Sequence, residues 1–176
     1  MDDKEFFIET LKDELPRFER VLKAVPAEKL DWRPHEKNRS AKELIYDIFG
    51  TEVTMFEIFL KTGKLDFTQI QPLKYKNVDN VIKTLKGAFE NTIEIANKMD
   101  EDEWNSNASM MNGEKIEWET TKGKMAWSVL LDLIHHRGQL SVYIRPMGGK
   151  VPQIYGPSGD SQSQSRFEDY LKLSKI

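Results

Sequence analysis

The chain has 176 residues, of which 39% are hydrophobic and 31% charged, and this length and balance are typical of one globular domain over residues 1–176. A net charge of −3 gives no reason to expect nucleic acid or an anionic membrane as a partner, and the absence of cysteine excludes disulfides, thiolate metal ligands and a cysteine nucleophile. The first residues lack a signal-peptide pattern, and no segment approaches the roughly 18 consecutive apolar residues that cross a bilayer, so we expect a cytoplasmic protein.

The first predicted helix covers residues 4–24. Its apolar residues recur every three or four positions, which is the spacing of one buried helix face. They are Phe7, Leu11, Leu15, Phe18 and Leu22. Asp2 or Asp3 can cap the start of the helix, and Pro16 is expected to kink it because proline removes one backbone donor.

A connection over residues 26–39 leads to the second predicted helix. It contains Trp32-Arg33-Pro34, whose apolar side chains are expected to hold the loop against the core. The run Ser40-Ala41-Lys42-Glu43 then has the pattern of a capping box, in which serine and glutamate side chains each accept a hydrogen bond from the other's backbone amide. This pattern predicts a helix over residues 40–61, which ends at Gly63.

Acidic residues on the second predicted helix are candidates for a site. Asp47 lies beside the apolar residues Leu44 and Ile48, so its carboxylate is expected to be partly buried. The simpler interpretation is an ordinary helix carboxylate, paired with a basic side chain and favoured by the helix dipole. Glu52 and Glu57 are expected to be solvated, although either is a substitute ligand if the helix is rotated from this estimate.

The middle of the chain predicts one more helix and a small hairpin. Residues 64–76 are a predicted loop, and residues 78–99 have the apolar spacing of a third helix. Residues 101–123 are irregular, but Asn112-Gly113 is a turn signal and residues 116–120 alternate in polarity like a strand. A short hairpin is therefore expected before the last long helix.

The fourth predicted helix spans residues 125–147 and stops at Gly148-Gly149. The following residues, 152–165, are rich in proline, glycine and serine and predict a loop, and residues 166–174 predict one short final helix. Four long amphipathic helices in a domain of this size favour an all-α four-helix bundle, with a hairpin-like insertion and a short C-terminal helix.

The fourth helix carries the most distinctive residues of the chain. On a helical wheel, four polar side chains point inward: Asp132, His136, Gln139 and Tyr143. Arg137 lies on the other side and is expected to reach water. Because Asp132 and His136 are four residues apart, their side chains stack on adjacent turns, which suits two ligands of one cation. The simpler interpretation is a core histidine held by Asp132.

A facing helix is expected to bring Asp47 against Asp132 and His136, as metal sites in bundles are usually built. Two carboxylates close together make each other's ionised forms costly, so the site needs a counter-charge. That charge is a metal ion, a protonated His136, or an arginine such as Arg33. The residues alone leave these three alternatives open.

The chain resembles the DinB/YfiT-like family over almost its whole length. Four stretches carry the resemblance: Trp32-Arg33-Pro34, the helix start from Ser40 to Asp47, His136-Arg137-Gly138-Gln139, and the turn from Gly148 to Tyr155 with Val151-Pro152. The resemblance implies a four-helix bundle that is commonly a homodimer and that holds a divalent metal ion through three histidines. It also implies thiol-dependent transferases and isomerases, which use bacillithiol or mycothiol-type thiols activated by the metal.

Carried over by the resemblance, the three metal positions fall on Asp47, Asp132 and His136, of which one is a histidine. Aspartate is a harder ligand than imidazole, so the preferred metal is expected to shift from zinc or nickel toward manganese, iron or magnesium. Two carboxylates and one neutral imidazole also leave a divalent ion with no net charge, so a bound thiolate gains less from Lewis-acid activation than at a site of three histidines.

These observations lead to two functional hypotheses. The first is a metal-dependent transferase or hydrolase that acts on a small molecule, with a low-molecular-weight thiol as a possible co-substrate. Gln139 and Tyr143 are then expected to line the inner pocket, and the turn that ends at Tyr155 is expected to border its mouth. The second, motivated by the two aspartates, is a non-catalytic bundle that has lost metal binding and serves as a dimeric binding or stress-response module.

Overall fold

The computed structural model describes residues 1–160, in which four long helical segments surround one apolar core. The first is helix α1, Asp3–Lys23, with Pro16 inside it. Its cap is as predicted: the Asp2 carboxylate accepts from the Glu5 amide at 2.7 Å, and the Glu5 carboxylate accepts from the Asp2 amide at 3.1 Å. The short-range signal at the N-terminus therefore fixes where α1 begins.

The second long segment, residues 41–62, departs from a regular α-helix. Its parts in chain order are α2 (Ala41–Glu43), a π-helical stretch (Leu44–Thr51), a 3-10 turn (Glu52–Thr54) and α3 (Met55–Thr62). In a π-helix each carbonyl accepts from the amide five residues later, so side chains rotate by a smaller angle per residue than in an α-helix. Side-chain directions after Leu44 therefore differ from those that a regular helical wheel predicts.

Both ends of this segment agree with the sequence. The Ser40 hydroxyl accepts from the Glu43 amide at 3.2 Å, and the Glu43 carboxylate accepts from the Ser40 amide at 2.6 Å. Gly63 follows α3 with a φ of 69°, a left-handed conformation that glycine adopts without strain. The capping box and the terminating glycine are confirmed.

The remaining helices are α4 (Val78–Lys98), a short α5 (Glu101–Trp104) and α6 (Lys122–Ile144). Within residues 1–160, no helix is both long enough and apolar enough to cross a membrane. The final helix predicted at residues 166–174 lies outside the described residues.

A three-stranded mixed sheet accompanies the helices, so the predicted all-α bundle with a hairpin-like insertion is confirmed as mainly helical but not as all-α. Strand β2 (Asn107–Asn112) pairs antiparallel with β3 (Lys115–Thr121), which confirms the predicted hairpin. Strand β1 (Lys64–Asp66) pairs parallel with the other edge of β2, in a stretch that was predicted to be a loop. Three residues are too few to show an alternating pattern, and their partner lies far along the chain.

Aromatic side chains fill the centre of the core. Phe18 contacts Phe49 and Phe89 edge to face, with ring centroids 5.6 and 5.8 Å apart. Such pairs add about 0.5–1.5 kcal/mol to the free energy of area burial. Trp32 packs edge to face on Tyr143 of α6 at 5.2 Å, so the loop before α2 is held against the core as predicted.

The largest disagreement with the sequence analysis concerns Arg137, which was expected to face water and is 2% exposed. Its guanidinium forms an ion pair with Glu14 of α1, which is 3% exposed, and donates to the Tyr155 hydroxyl at 2.6 Å. The guanidinium also lies 4.6 Å from the centre of the Phe18 ring. A buried arginine needs a carboxylate partner, and the helical wheel of α6 carries no information about a carboxylate on α1.

A strap, residues 67–76, crosses the π-helical stretch. The Leu73 amide donates to the buried Thr51 hydroxyl at 3.1 Å. Tyr75 lies so close to Gly50 that a Cβ atom added to the glycine would be 2.3 Å from Cε2 of the tyrosine ring. Gly50 therefore allows the strap to reach the helix backbone at this point.

Candidate functional site

A cavity of about 440 Å³ opens where the segment 41–62, the sheet and α6 meet. Its size lies within the range of small-molecule pockets. The polar side chains that line it are Arg39, Glu52, Ser128, Asp132 and His136. Its apolar side chains are Met55, Leu65, Phe67, Met110 and Val129. The cavity thus combines a charged group of side chains with an apolar wall.

Asp132 and His136 stand together in this cavity, as their spacing on α6 predicts. The Nε2 atom of His136 is 3.5 Å from an Asp132 carboxylate oxygen. The histidine side chain is 18% exposed and the aspartate side chain 53%, so the pair lies at the boundary between core and solvent. A carboxylate beside an imidazole nitrogen is favourable when a hydrogen on that nitrogen or a bound cation lies between them.

The other nitrogen of His136 is held from the inside of the bundle. Its Nδ1 atom is 3.0 Å from Oε1 of Gln139, and the Gln139 amide donates to the Tyr143 hydroxyl at 3.3 Å. With the Nδ1 hydrogen donated to Gln139, the lone pair lies on Nε2, the atom next to Asp132. Metal-binding histidines are commonly held by a hydrogen bond of this kind.

Glu52 is the second carboxyl group at the cavity, after Asp132. The pKa of Glu52 is raised to about 7, mainly because the side chain is partly buried and also because of the negative charge of Asp132. Arg39 opposes this shift, and Asp47 makes a smaller contribution that raises the pKa. An Arg39 guanidinium nitrogen lies 4.0 Å from the Glu52 carboxylate. The expectation that Glu52 is solvated is therefore wrong, because the side chain lines the cavity and is partly buried.

Asp47 does not share this position. It is exposed, so the expectation of partial burial is wrong, and it is not among the residues that line the cavity. The π-helical stretch is the physical reason, because its smaller rotation per residue turns Asp47 away from the cavity and Glu52 toward it. The sequence offers one signal for this exchange: Glu52 lies on the same predicted helix and is a substitute ligand if that helix is rotated.

The predicted cofactor-binding residues lie in two different places. Gln139 and Tyr143 support His136 from behind and do not line the cavity. Tyr155 lines a separate cavity of about 360 Å³ near Arg20, and its hydroxyl contacts the buried Arg137. The turn that ends at Tyr155 therefore closes over an ion pair of the core and does not border the site.

The cavity brings together donor types that suit a divalent metal ion. Within residues 1–160, no group of three or more His, Asp or Glu side chains is already placed to hold one. The pair formed by Asp132 and His136 offers two ligand atoms with the correct chemistry, and Glu52 offers a carboxylate on another wall of the same cavity. The donor types fit a hard divalent ion, while the set of Asp47, Asp132 and His136 stays a prediction.

Comparisons with known proteins agree with this architecture. The model of the DinB family matches residues 1–166, and no curated protein matches the chain. A solved structure of a DinB-like protein, YjoA of Bacillus subtilis, is 19% identical, covers 86% of this chain and 99% of its own, and has a TM-score of 0.66, which shows the shared fold. Two structures of a mycothiol-dependent maleylpyruvate isomerase, one of them a mutant, are 10% identical, cover 86% of this chain and 65% of their own, and have TM-scores of 0.49 and 0.43.

Proposed function

Because the chain belongs to the DinB family, we propose that it is a metal-dependent enzyme that acts on a small molecule in the cytoplasm. Asp132 and His136 hold the divalent ion in this proposal, and a carboxylate of the segment 41–62 supplies the third ligand. Glu52 is favoured over Asp47 for that role because Glu52 lines the same cavity as the pair. The reaction class is transfer or hydrolysis, and the class rests on the family alone.

One observation carries the proposal. A single cavity collects two carboxyl groups and an imidazole from two separate helical segments, beside an apolar wall. Placing two carboxyl groups and an imidazole at the edge of a core costs free energy unless they are paired or bound to a cation. A structural role alone gives no reason to place three such groups around a space of small-molecule size.

A bound ion would act as a Lewis acid that polarises an oxygen of the substrate or lowers the pKa of a coordinated water. The chain's own residues have simpler tasks. Gln139 orients the His136 ring, and Arg39 contributes a positive charge near Glu52. Oxygen-rich ligands favour manganese, iron or magnesium over zinc or nickel. A low-molecular-weight thiol, implied by the family resemblance, is the proposed co-substrate for a transferase.

A calorimetric titration of metal-free protein with Mn²⁺ tests the proposal. We expect binding by the natural chain and a loss of at least tenfold in affinity in His136→Ala, since even partners that only orient a metal ligand contribute roughly 10–100-fold. Glu52→Gln is expected to weaken binding more than Asp47→Asn does. The matched control is His135→Ala, because His135 is the exposed neighbour of His136 and does not line the cavity. Equal affinities in His136→Ala and His135→Ala would overturn the proposal.

A second candidate function is a non-catalytic binding module built on the same fold. The observation that favours it is the exposed position of Asp47, together with the absence of a ready cluster of three ligands within residues 1–160. The same titration separates the two candidates. No Mn²⁺ binding by the natural chain, at micromolar protein concentration, would support the module and contradict the enzyme.

We also propose a homodimer, with α6 at the interface. Leu131 and Val142 of α6 are 58% and 71% exposed, and Gly138 between them faces open space, so this side of the helix exposes large apolar side chains. Light scattering is expected to give a dimer mass for the natural chain at micromolar concentration. Val142→Glu is expected to shift the mass toward the monomer. Val129→Glu cannot serve as the control, because Val129 lines the cavity. A monomeric natural chain would refute the dimer.

A further inference from the structure

We propose that the small molecule bound in the cavity carries an apolar body, aromatic or alkyl, which lies along a row of three side chains that crosses the sheet. The row consists of Leu65, Met110 and Trp118, one from each strand. This inference rests on the proposed function and adds to it the class of substrate: a polar head at the carboxyl groups and the imidazole, and an apolar body on the sheet.

The strand register defines the row. Leu65 of β1 lies opposite Met110 of β2, and Met110 lies opposite Trp118 of β3. Residues directly opposite one another on paired strands have their side chains on the same face of the sheet. Because Leu65 and Met110 both line the cavity, Trp118 stands on the cavity side of the sheet.

A β-bulge places the tryptophan in this row. The register shifts between Met110 and Met111, so that Met111 lies opposite Ile116 while Met110 lies opposite Trp118. If the pairing at the turn end continued without this shift, Glu117 would be paired with Met110, and the row would end on a carboxylate. Bulges commonly redirect side chains next to functional sites, and here the bulge brings Trp118 into register with Met110.

Exposure increases along the row away from the core. Leu65 is 1% exposed, Met110 is partly buried and Trp118 is 36% exposed. Phe67, which also lines the cavity, is 45% exposed. Large apolar side chains that continue a cavity wall into solvent are costly to hydrate and gain free energy when a ligand covers them.

The polar side chains lie along other parts of the cavity lining. Asp132 and His136 come from α6, and Glu52 comes from the 3-10 turn, whereas the apolar row belongs to the sheet. This separation suits an amphipathic small molecule and not a uniformly polar one. A volume of about 440 Å³ holds a ligand with two fused rings or a medium alkyl chain.

Fluorescence titration of metal-free protein with N-phenyl-1-naphthylamine, a neutral aromatic probe, tests the apolar row without any metal. Trp118→Ala is expected to weaken binding roughly tenfold, while Trp118→Phe retains most of the affinity. The matched control is Ile116→Ala, because Ile116 is 49% exposed on the same strand but pairs with Met111 on the other face. No binding by the natural chain, or equal losses in Trp118→Ala and Ile116→Ala, would overturn the inference.

A pair of metal-binding ligands with different apolar bodies then tests the row in the proposed enzyme. Octanohydroxamate is expected to bind Mn²⁺-loaded protein roughly 30-fold more tightly than acetohydroxamate, and Trp118→Ala is expected to remove most of that ratio. Equal affinities for the two hydroxamates would contradict the apolar row and leave the metal site standing. Failure of Mn²⁺ itself to bind would contradict the proposed function, and the neutral probe would still decide the row.

Discussion

Replacing Arg137 with alanine is expected to lower the free energy of unfolding by about 3–5 kcal/mol. The substitution leaves the Glu14 carboxylate buried without its main partner and removes a cation that lies over Phe18. Both members of the ion pair are almost fully buried, so water cannot replace the lost charge. Urea unfolding followed by circular dichroism measures the effect, which would be a large part of the total stability of an ordinary domain.

Two further variants separate the ion pair from simple packing. The double substitution Glu14→Leu with Arg137→Met removes both charges and keeps apolar volume, so it is expected to be much less harmful than Arg137→Ala. Arg17→Ala removes the second, more exposed partner of Glu14 and is expected to cost about 1 kcal/mol. A loss below 1 kcal/mol in Arg137→Ala would show that the buried pair contributes little.

Gly50→Ala is expected to destabilise the protein by about 3 kcal/mol, the upper end of the usual cost of overpacking. The added methyl group would lie 2.3 Å from the ring of Tyr75, so the strap or the π-helical stretch must move. Thermal unfolding of the single variant measures the cost. The effect is tied to one contact and is therefore expected to depend on the residue at position 75.

A double-variant cycle tests that dependence. In a Tyr75→Ala background the clash is gone, and Gly50→Ala is expected to become neutral or stabilising by up to about 1 kcal/mol, because alanine favours helix more than glycine does. Gly87→Ala on α4 is the matched control, since a methyl group there meets nothing within 4 Å. The same loss in both backgrounds would rule out the Tyr75 contact as the cause.

Local signals in the sequence predicted the helix boundaries well. Asp2 begins α1, Ser40 begins the second segment and Gly63 ends it, and each depends on hydrogen bonds or backbone angles within a few residues. The hairpin was visible for the same reason, because its turn and its alternation are contained in one short stretch. These features follow from residues close together in the chain.

The parts that the sequence did not predict depend on distant partners or on irregular geometry. The helical pattern of α6 predicts that Arg137 faces water, because its partner, Glu14, is 123 residues away and does not enter that pattern. A regular helix predicts Asp47 and not Glu52 at the site, whereas a π-helical stretch occurs at this point. Asp132 and His136 were placed correctly beside each other, since α6 is regular between them. The sequence therefore predicts the pair on α6 but not the carboxyl group that the second helical segment brings to the cavity.

The burial of Arg137 has a consequence for how α6 is oriented. This helix carries apolar side chains on its buried side and also on its exposed side, where Leu131 and Val142 lie. Hydrophobic packing alone would accept several rotations of such a helix about its long axis. Because the Arg137 guanidinium must contact the Glu14 carboxylate on α1, α6 can adopt only one rotation about its axis. His136 precedes Arg137 in the chain, so the same ion pair determines the direction in which the imidazole points.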